Sequence, residues 1–199
     1  MIFAVAAALG LIIAVVRGVP LSTIAEVRFR GLGVLAAAVG LHVLLNPMVT
    51  PVTFSARLVV PIAPGLPPLG NLLYLASLTC ALVFLFLNRR LPGFTLILVG
   101  LALNVAAIAT SGGQMPGDPA QLEKAGLLQD YLAHRDAGLW SPFSLIDSST
   151  LLPFLADVIY LPIPFRESTV ASVGDFVIAL GVVGFFNPLT PRRAVNRRA

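Results

Sequence analysis

Asp157 and Asp175 are the residues of this chain whose type and placement could do chemistry. Seven of its nine acidic residues lie between Ser111 and about Val170, and Asp175 follows in Ser172-Val173-Gly174-Asp175. Two carboxyl groups held close together have pKa values driven apart, so one can act as acid and the other as base. At a membrane surface such a pair would activate a water for hydrolysis. The competing role is structural. An Asp in the first turn of a helix gains about 0.3–1 kcal/mol from the helix dipole. Asp175 would then cap the helix it opens or pair with Arg166 or Arg57, and Asp157 would cap or bond the turn at Gly112-Gly113. The structural role is the favoured expectation.

Other polar residues offer less. His42 and Asn46 fall one helical turn apart near the end of an apolar run. A haem held by two histidines would need a second intramembrane His, and His134 lies in a polar segment. His42 is therefore expected to make an interhelical hydrogen bond or sit at the interface. Asn104, mid-run, has the same default role, worth about 0.6 kcal/mol on average. Cys80 is the one cysteine and cannot form an internal disulfide. There is no P-loop, paired metal-ligand motif or nucleophile–base constellation, so no metal and no cofactor are expected. The cationic residues are not interleaved with aromatics, which argues against nucleic acid as a partner.

The elements that must position these residues are strongly apolar. Hydrophobic residues make up 57% of the chain and charged residues 11%, with a mean hydropathy of +0.93, outside the range of soluble domains. Apolar runs occupy Ile2–Val16, Gly31–Leu45, Leu72–Leu87, Phe94–Thr110 and Ala171–Phe186. Each is slightly shorter than the ~20 residues that cross a bilayer comfortably. Of the thirteen basic residues, Arg17, Arg28, Arg30, Arg89 and Arg90 cluster at the ends of runs, as do Arg192, Arg193, Arg197 and Arg198. Only Arg57, Lys124, Arg135 and Arg166 are spread over the alternate, longer loops. That asymmetry puts the clustered charges in the cytoplasm.

The expected architecture is an all-α integral membrane protein forming a single membrane domain over residues 1–199. Its five transmembrane helices are placed at about residues 2–19, 31–46, 70–88, 93–110 and 170–187. The N-terminus is outside and the C-terminus cytoplasmic. The outer loops at 47–69 and 111–169 form a cap with short interfacial helices. Arg17 follows the first run rather than preceding it, so that run reads as a span and not a cleaved signal.

Local chemistry suggests what the connections do. The first two helices are expected to pair as a hairpin, joined by a short interfacial helix capped by Ser22 or Thr23. Within it, Glu26 stands four residues before Arg30, the spacing of a weak ion pair. Six prolines between Pro47 and Pro68 argue against a regular helix and for an extended path. Gly112-Gly113-Gln114-Met115-Pro116 makes a sharp exit from the fourth helix. Asp118, Pro119 and Gln121 read as the capping box of a surface helix whose apolar face is Leu122, Ala125, Leu128, Tyr131 and Leu132. The proline-broken run Ser148–Pro164 reads as interfacial or re-entrant.

Three motifs carry a family resemblance: Gly112-Gly113-Gln114-Met115-Pro116, Phe154-Leu155-Ala156-Asp157-Val158-Ile159 and Ser172-Val173-Gly174-Asp175. With Arg17…Leu21…Glu26…Arg28, they make the chain resemble a family of bacterial membrane proteins catalogued as domain of unknown function 5317. The resemblance implies this topology and brings no activity with it. Members usually begin the glycine turn with Asn, where this chain has Ser111. The surroundings of Asp157 and Asp175 also faintly resemble the C-terminal part of bacterial lipoprotein signal peptidases, which would imply a catalytic aspartate pair. Val173 and Gly174 stand where those enzymes carry Asn and Ala, and Val158 stands where they carry Arg.

The functional expectation is a non-enzymatic protein of the bacterial inner membrane, an accessory or scaffolding subunit in contact with lipid and other membrane-protein subunits. The alternatives are an aspartate-pair hydrolase and a small transporter. Gly112, Gly113, Met115, Pro116, Asp157, Asp175, His42 and Asn104 are its expected structural or interface residues.

Overall fold

The computed structural model describes residues 2–19, 22, 26–46, 51–162 and 168–187. Its helices, in chain order, are α1 (Ile2–Val16), α2 (Leu32–Leu44), α3 (Val52–Leu58), α4 (Leu69–Leu87), α5 (Phe94–Thr110), α6 (Pro119–Ala125), α7 (Leu128–Asp136) and α8 (Val173–Phe186). Short strands β1 (Met115–Gly117) and β2 (Phe143–Leu145) pair in parallel, and β3 (Ile159–Leu161) and β4 (Thr169–Ala171) pair antiparallel. Among the described residues, α4 is the one helix long and apolar enough to cross a membrane by length and composition. α1, α2, α5 and α8 are shorter apolar helices.

The five apolar helices pack in the order α1, α8, α5, α4, α2. The expected hairpin of the first two helices is therefore corrected: α1 packs on α8, and α2 packs on α4. Small residues explain the insertion of α8. A methyl group on Gly100 would lie 2.7 Å from Ile178 Cγ1, and one on Gly181 would lie 2.7 Å from the Gly93 carbonyl. On the other side, a methyl on Gly10 of α1 would stand 3.1 Å from the backbone of Val183. Such close backbone approach is how apolar helices gain dispersion contacts without help from water.

At the far end from the cap, Phe84, Leu85 and Phe94 form a core. Phe29 lies 5.9 Å from the Phe94 ring, and Phe185 lies 5.6 Å from it. Asn88 holds the chain entering α2: its Oδ1 accepts from Arg30 N and its Nδ2 donates to Arg30 O, both at 2.8 Å. Glu26 and Arg30 form no ion pair, and the exposed Arg135–Asp136 contact is the one salt bridge among the described residues. The interfacial helix expected around Ser22 and Thr23, and the arginines after Phe186, lie outside the described residues apart from Ser22.

Several expectations for the connections change. The segment 47–69 contains a helix, α3, because Val52–Val60 is free of proline and Pro51 pre-sets the chain before it. The surface helix breaks in two at Gly126, which takes φ 77° as the C-cap of α6. Gln121 has no capping-box role. The Asp118 N–H it would have satisfied instead donates to the Asp157 carbonyl at 3.0 Å. Within the described part of the Ser148–Pro164 run, the chain forms a 3-10 turn at Pro153–Leu155 and then β3. Its β-branched and aromatic Ile159-Tyr160 suit a strand paired with Val170.

Candidate functional site: a cavity under the cap

The cap is fastened to the bundle by a short chain of hydrogen bonds. Gly112 and Gly113, at φ 72° and 93°, turn the chain out of α5, a conformation costly for residues with a Cβ. The turn places the Gly112 carbonyl 2.8 Å from Asn71 Nδ2 of α4. Asn71 Oδ1 in turn accepts from the indole N–H of Trp140 at 2.8 Å. Trp140 is 5% exposed and fits only because residue 70 is glycine, since any Cβ there would overlap the indole. One amide thus ties the glycine turn, α4 and the chain leading into β2. A buried Asn whose donor and acceptor are both paired specifies a single arrangement.

Beyond the turn, Met115 and Pro116 are buried. Met115 packs with Ala107, Ile108 and Leu155 in the core between cap and bundle. The Pro116 carbonyl accepts from Asp157 N at 2.9 Å, and the Asp157 carbonyl accepts from Asp118 N. The backbone of Asp157 is therefore locked to the strand that leaves the glycine turn. Its side chain is free to point elsewhere.

Asp175 is committed differently. It forms a full capping box with Ser172: Ser172 N donates to Oδ2 at 3.0 Å, and Asp175 N donates to Ser172 Oγ at 3.2 Å. Asn104 of α5 closes the ring. Its Nδ2 donates to Asp175 Oδ1 at 2.9 Å, and its Oδ1 accepts from Ser172 Oγ at 2.9 Å. Both carboxylate oxygens of Asp175 thus carry a hydrogen bond that shapes the start of α8. Arg57 makes no ion pair with it, and Arg166 lies outside the described residues.

Asp157 and Asp175 nonetheless line one cavity of about 600 Å³ between bundle and cap. Leu101, Ile108 and Ile178 form its apolar wall on the bundle side, and Leu122 and Leu127 line it from the cap. Tyr74 and Trp140, in edge contact at 6.0 Å, face it as well. Asp157 is 8% exposed, and among the described residues no side-chain hydrogen bond or ion pair reaches its carboxyl group. Burial first, and the negative charge of Asp175 second, push this carboxyl from its ordinary 3.8 up to about 7. A buried carboxyl with no partner is costly to fold around, and a perturbed acid in a cavity marks a candidate site.

The expected site residues therefore divide. Met115 and Asn104 line the cavity with Asp157 and Asp175, and Gly112, Gly113 and Pro116 lie in the turn and strand that lead away from α5. His42 stands apart, exposed on α2 with its ring 6.1 Å from Tyr74. Asn71, Tyr74 and Trp140 were missed from sequence. Asn71 is a polar residue opening an apolar run and Trp140 is the only tryptophan, and those were the available signals. Among the described residues, no group of three or more His, Cys, Asp or Glu side chains is placed to hold a metal ion.

Comparison with known proteins agrees with the family resemblance. A protein of Thermotoga maritima, described as an uncharacterized protein, is 35% identical over 120 residues. The match covers 59% of this chain and 65% of that protein, so the chain spans a little under two thirds of the relative's length. No solved structure matches. The model of a family of unknown function, DUF5317, matches residues 26–187. The chain belongs to that family.

Proposed function

We propose that this chain is a non-enzymatic, multi-pass protein of a bacterial cytoplasmic membrane, an accessory subunit of a larger membrane complex that holds a small apolar molecule under its cap. In this reading α1, α2, α4, α5 and α8 all cross the bilayer. The N-terminus and cap face outward, and the Arg89–Arg90 turn faces the cytoplasm. The positive-inside asymmetry of the thirteen basic residues supports that orientation.

The observation that carries the proposal is the cavity of about 600 Å³, mostly apolar, with the unpartnered carboxyl of Asp157 in its wall. Its size falls in the range of small-molecule sites. A hydrolase would need Asp157 and Asp175 to share a water, and the hydrogen bonds that Asp175 accepts from Ser172 N and Asn104 favour a helix-capping role for it instead. A transporter would need polar groups along a path through the bundle. Asn104 is instead spent on the Asp175–Ser172 ring.

Two measurements test the proposal. Trp140 lines the cavity and is the only tryptophan, so titration with 1-decanol should shift its fluorescence saturably. No saturable shift would remove the binding role. Gentle solubilisation from native membranes followed by native mass analysis should find the chain with another polypeptide. A lone monomer would remove the accessory role.

A further inference from the structure

The lining of the cavity says what kind of head group belongs in it. Its acidic side chains are Asp157 and Asp175, with Asp130 at the α7 side, and none of its described lining residues is Lys or Arg. Asp157 is nine-tenths buried and lacks a counter-charge among the described residues. Tyr74 and Trp140 line the same cavity and supply aromatic surface, the usual complement of an ammonium group. Leu101, Ile108 and Ile178 line the same space with hydrocarbon. An anionic head would meet three acidic side chains and, among the described lining residues, no Lys or Arg, and a neutral head would leave Asp157 to avoid its charge by keeping its proton.

We propose that the cavity binds an amphiphilic cation, a hydrocarbon body bearing an amine or quaternary ammonium, with the charged head against the Asp157 carboxylate and within the cavity that Tyr74 and Trp140 line. This rests on the reading that the cavity holds an apolar molecule, and it names the class. A bound cation replaces the missing counter-charge and favours the ionised form of Asp157, so binding displaces a proton from a group that otherwise holds it up to about pH 7. The other titratable groups facing this space are Tyr74 and Asp175 from the bundle and Asp130, Tyr131 and His134 from α7.

The test uses the purified full chain in a nonionic maltoside detergent, with Trp140 fluorescence as readout. The probes are decyltrimethylammonium, 1-decanol and decanoate below their micellar concentrations. At pH 8 the cation is expected to bind at least tenfold more tightly than the alcohol, and decanoate most weakly. Asp157→Asn should weaken the cation about tenfold or more and leave the alcohol unchanged. In the unaltered chain, affinity for the cation should fall several-fold between pH 8 and pH 6. That fall should persist in His134→Gln and flatten in Asp157→Asn. If alcohol and cation bind equally and Asp157→Asn changes neither, the cation assignment is wrong while the binding reading stands. If the pH response is lost in His134→Gln instead, the head group does not sit on Asp157. If no probe moves Trp140, both this inference and the binding reading fall.

Discussion

Asp157 and Asp175 begin as similar residues at similar distances from apolar runs, and their surroundings make them opposites. Asp175 has both oxygens hydrogen-bonded and holds the start of α8. Ser172→Ala would remove the cap and leave Asn104 Oδ1 without its donor, so a loss of about 1–3 kcal/mol is expected in thermal or denaturant unfolding. For Asp157 the sign reverses. Its carboxyl titrates at about 7 in the folded chain against 3.8 ordinarily. The native state therefore holds more protons than the unfolded state between those values, and stability is fullest below about pH 4 and declines as pH rises through about 7. Asp157→Asn, always neutral, should raise the thermal midpoint by several degrees at pH 8, with an advantage that shrinks as the pH is lowered toward 4. An advantage independent of pH would show that the carboxyl is not its source.

Among elements, α8 decides the arrangement, because it is the last of the described helices and packs between α1 and α5. Its glycines make that possible. A methyl on Gly174 would overlap Asn104 Oδ1 and stand 2.7 Å from the Gly100 carbonyl. Backbone contacts of that kind are not relieved by a rotamer change, so Gly174→Ala should cost about 1–3 kcal/mol. Gly40 of α2 is the contrast, because a methyl group there would meet nothing within 4 Å. Gly40→Ala should be neutral or stabilise by about 0.5–1 kcal/mol through helix propensity. Equal effects in thermal unfolding of the two variants would contradict the packing order described above. The positions of the apolar helices could be read along the chain because each is a continuous apolar run. Their partners could not, since a small residue in a run marks a close approach without saying to what.

For the whole molecule, the orientation across a membrane gives the sharpest test. Ser149 is exposed in the cap, and Arg90 is exposed at the opposite end, after α4. With Cys80 replaced by Ser, Ser149→Cys should react in intact cells with a membrane-impermeant thiol reagent. Arg90→Cys should react only after the cells are opened. The reverse pattern would invert the proposed topology. The cap must reach one face and the arginine-flanked turn the other if the cavity is to be filled from outside.

Composition and run length alone determined that the chain is built from apolar helices, and charge clustering set the expected orientation. Local chemistry also identified Asp118 as an N-cap and the two glycines as a sharp turn, because those signals depend on neighbours within a few residues. Only the tertiary structure decided that α8 separates α1 from α5. Only it joined Asn71 to Trp140, and only it turned two acids eighteen residues apart into a helix cap and a cavity wall. The physical reason is common to all three. Each depends on which surfaces meet across the bundle, and the local pattern that marks a surface carries no record of its partner. The two aspartates line one cavity, Asp175 with both oxygens hydrogen-bonded at the start of α8 and Asp157 with its backbone tied to the cap.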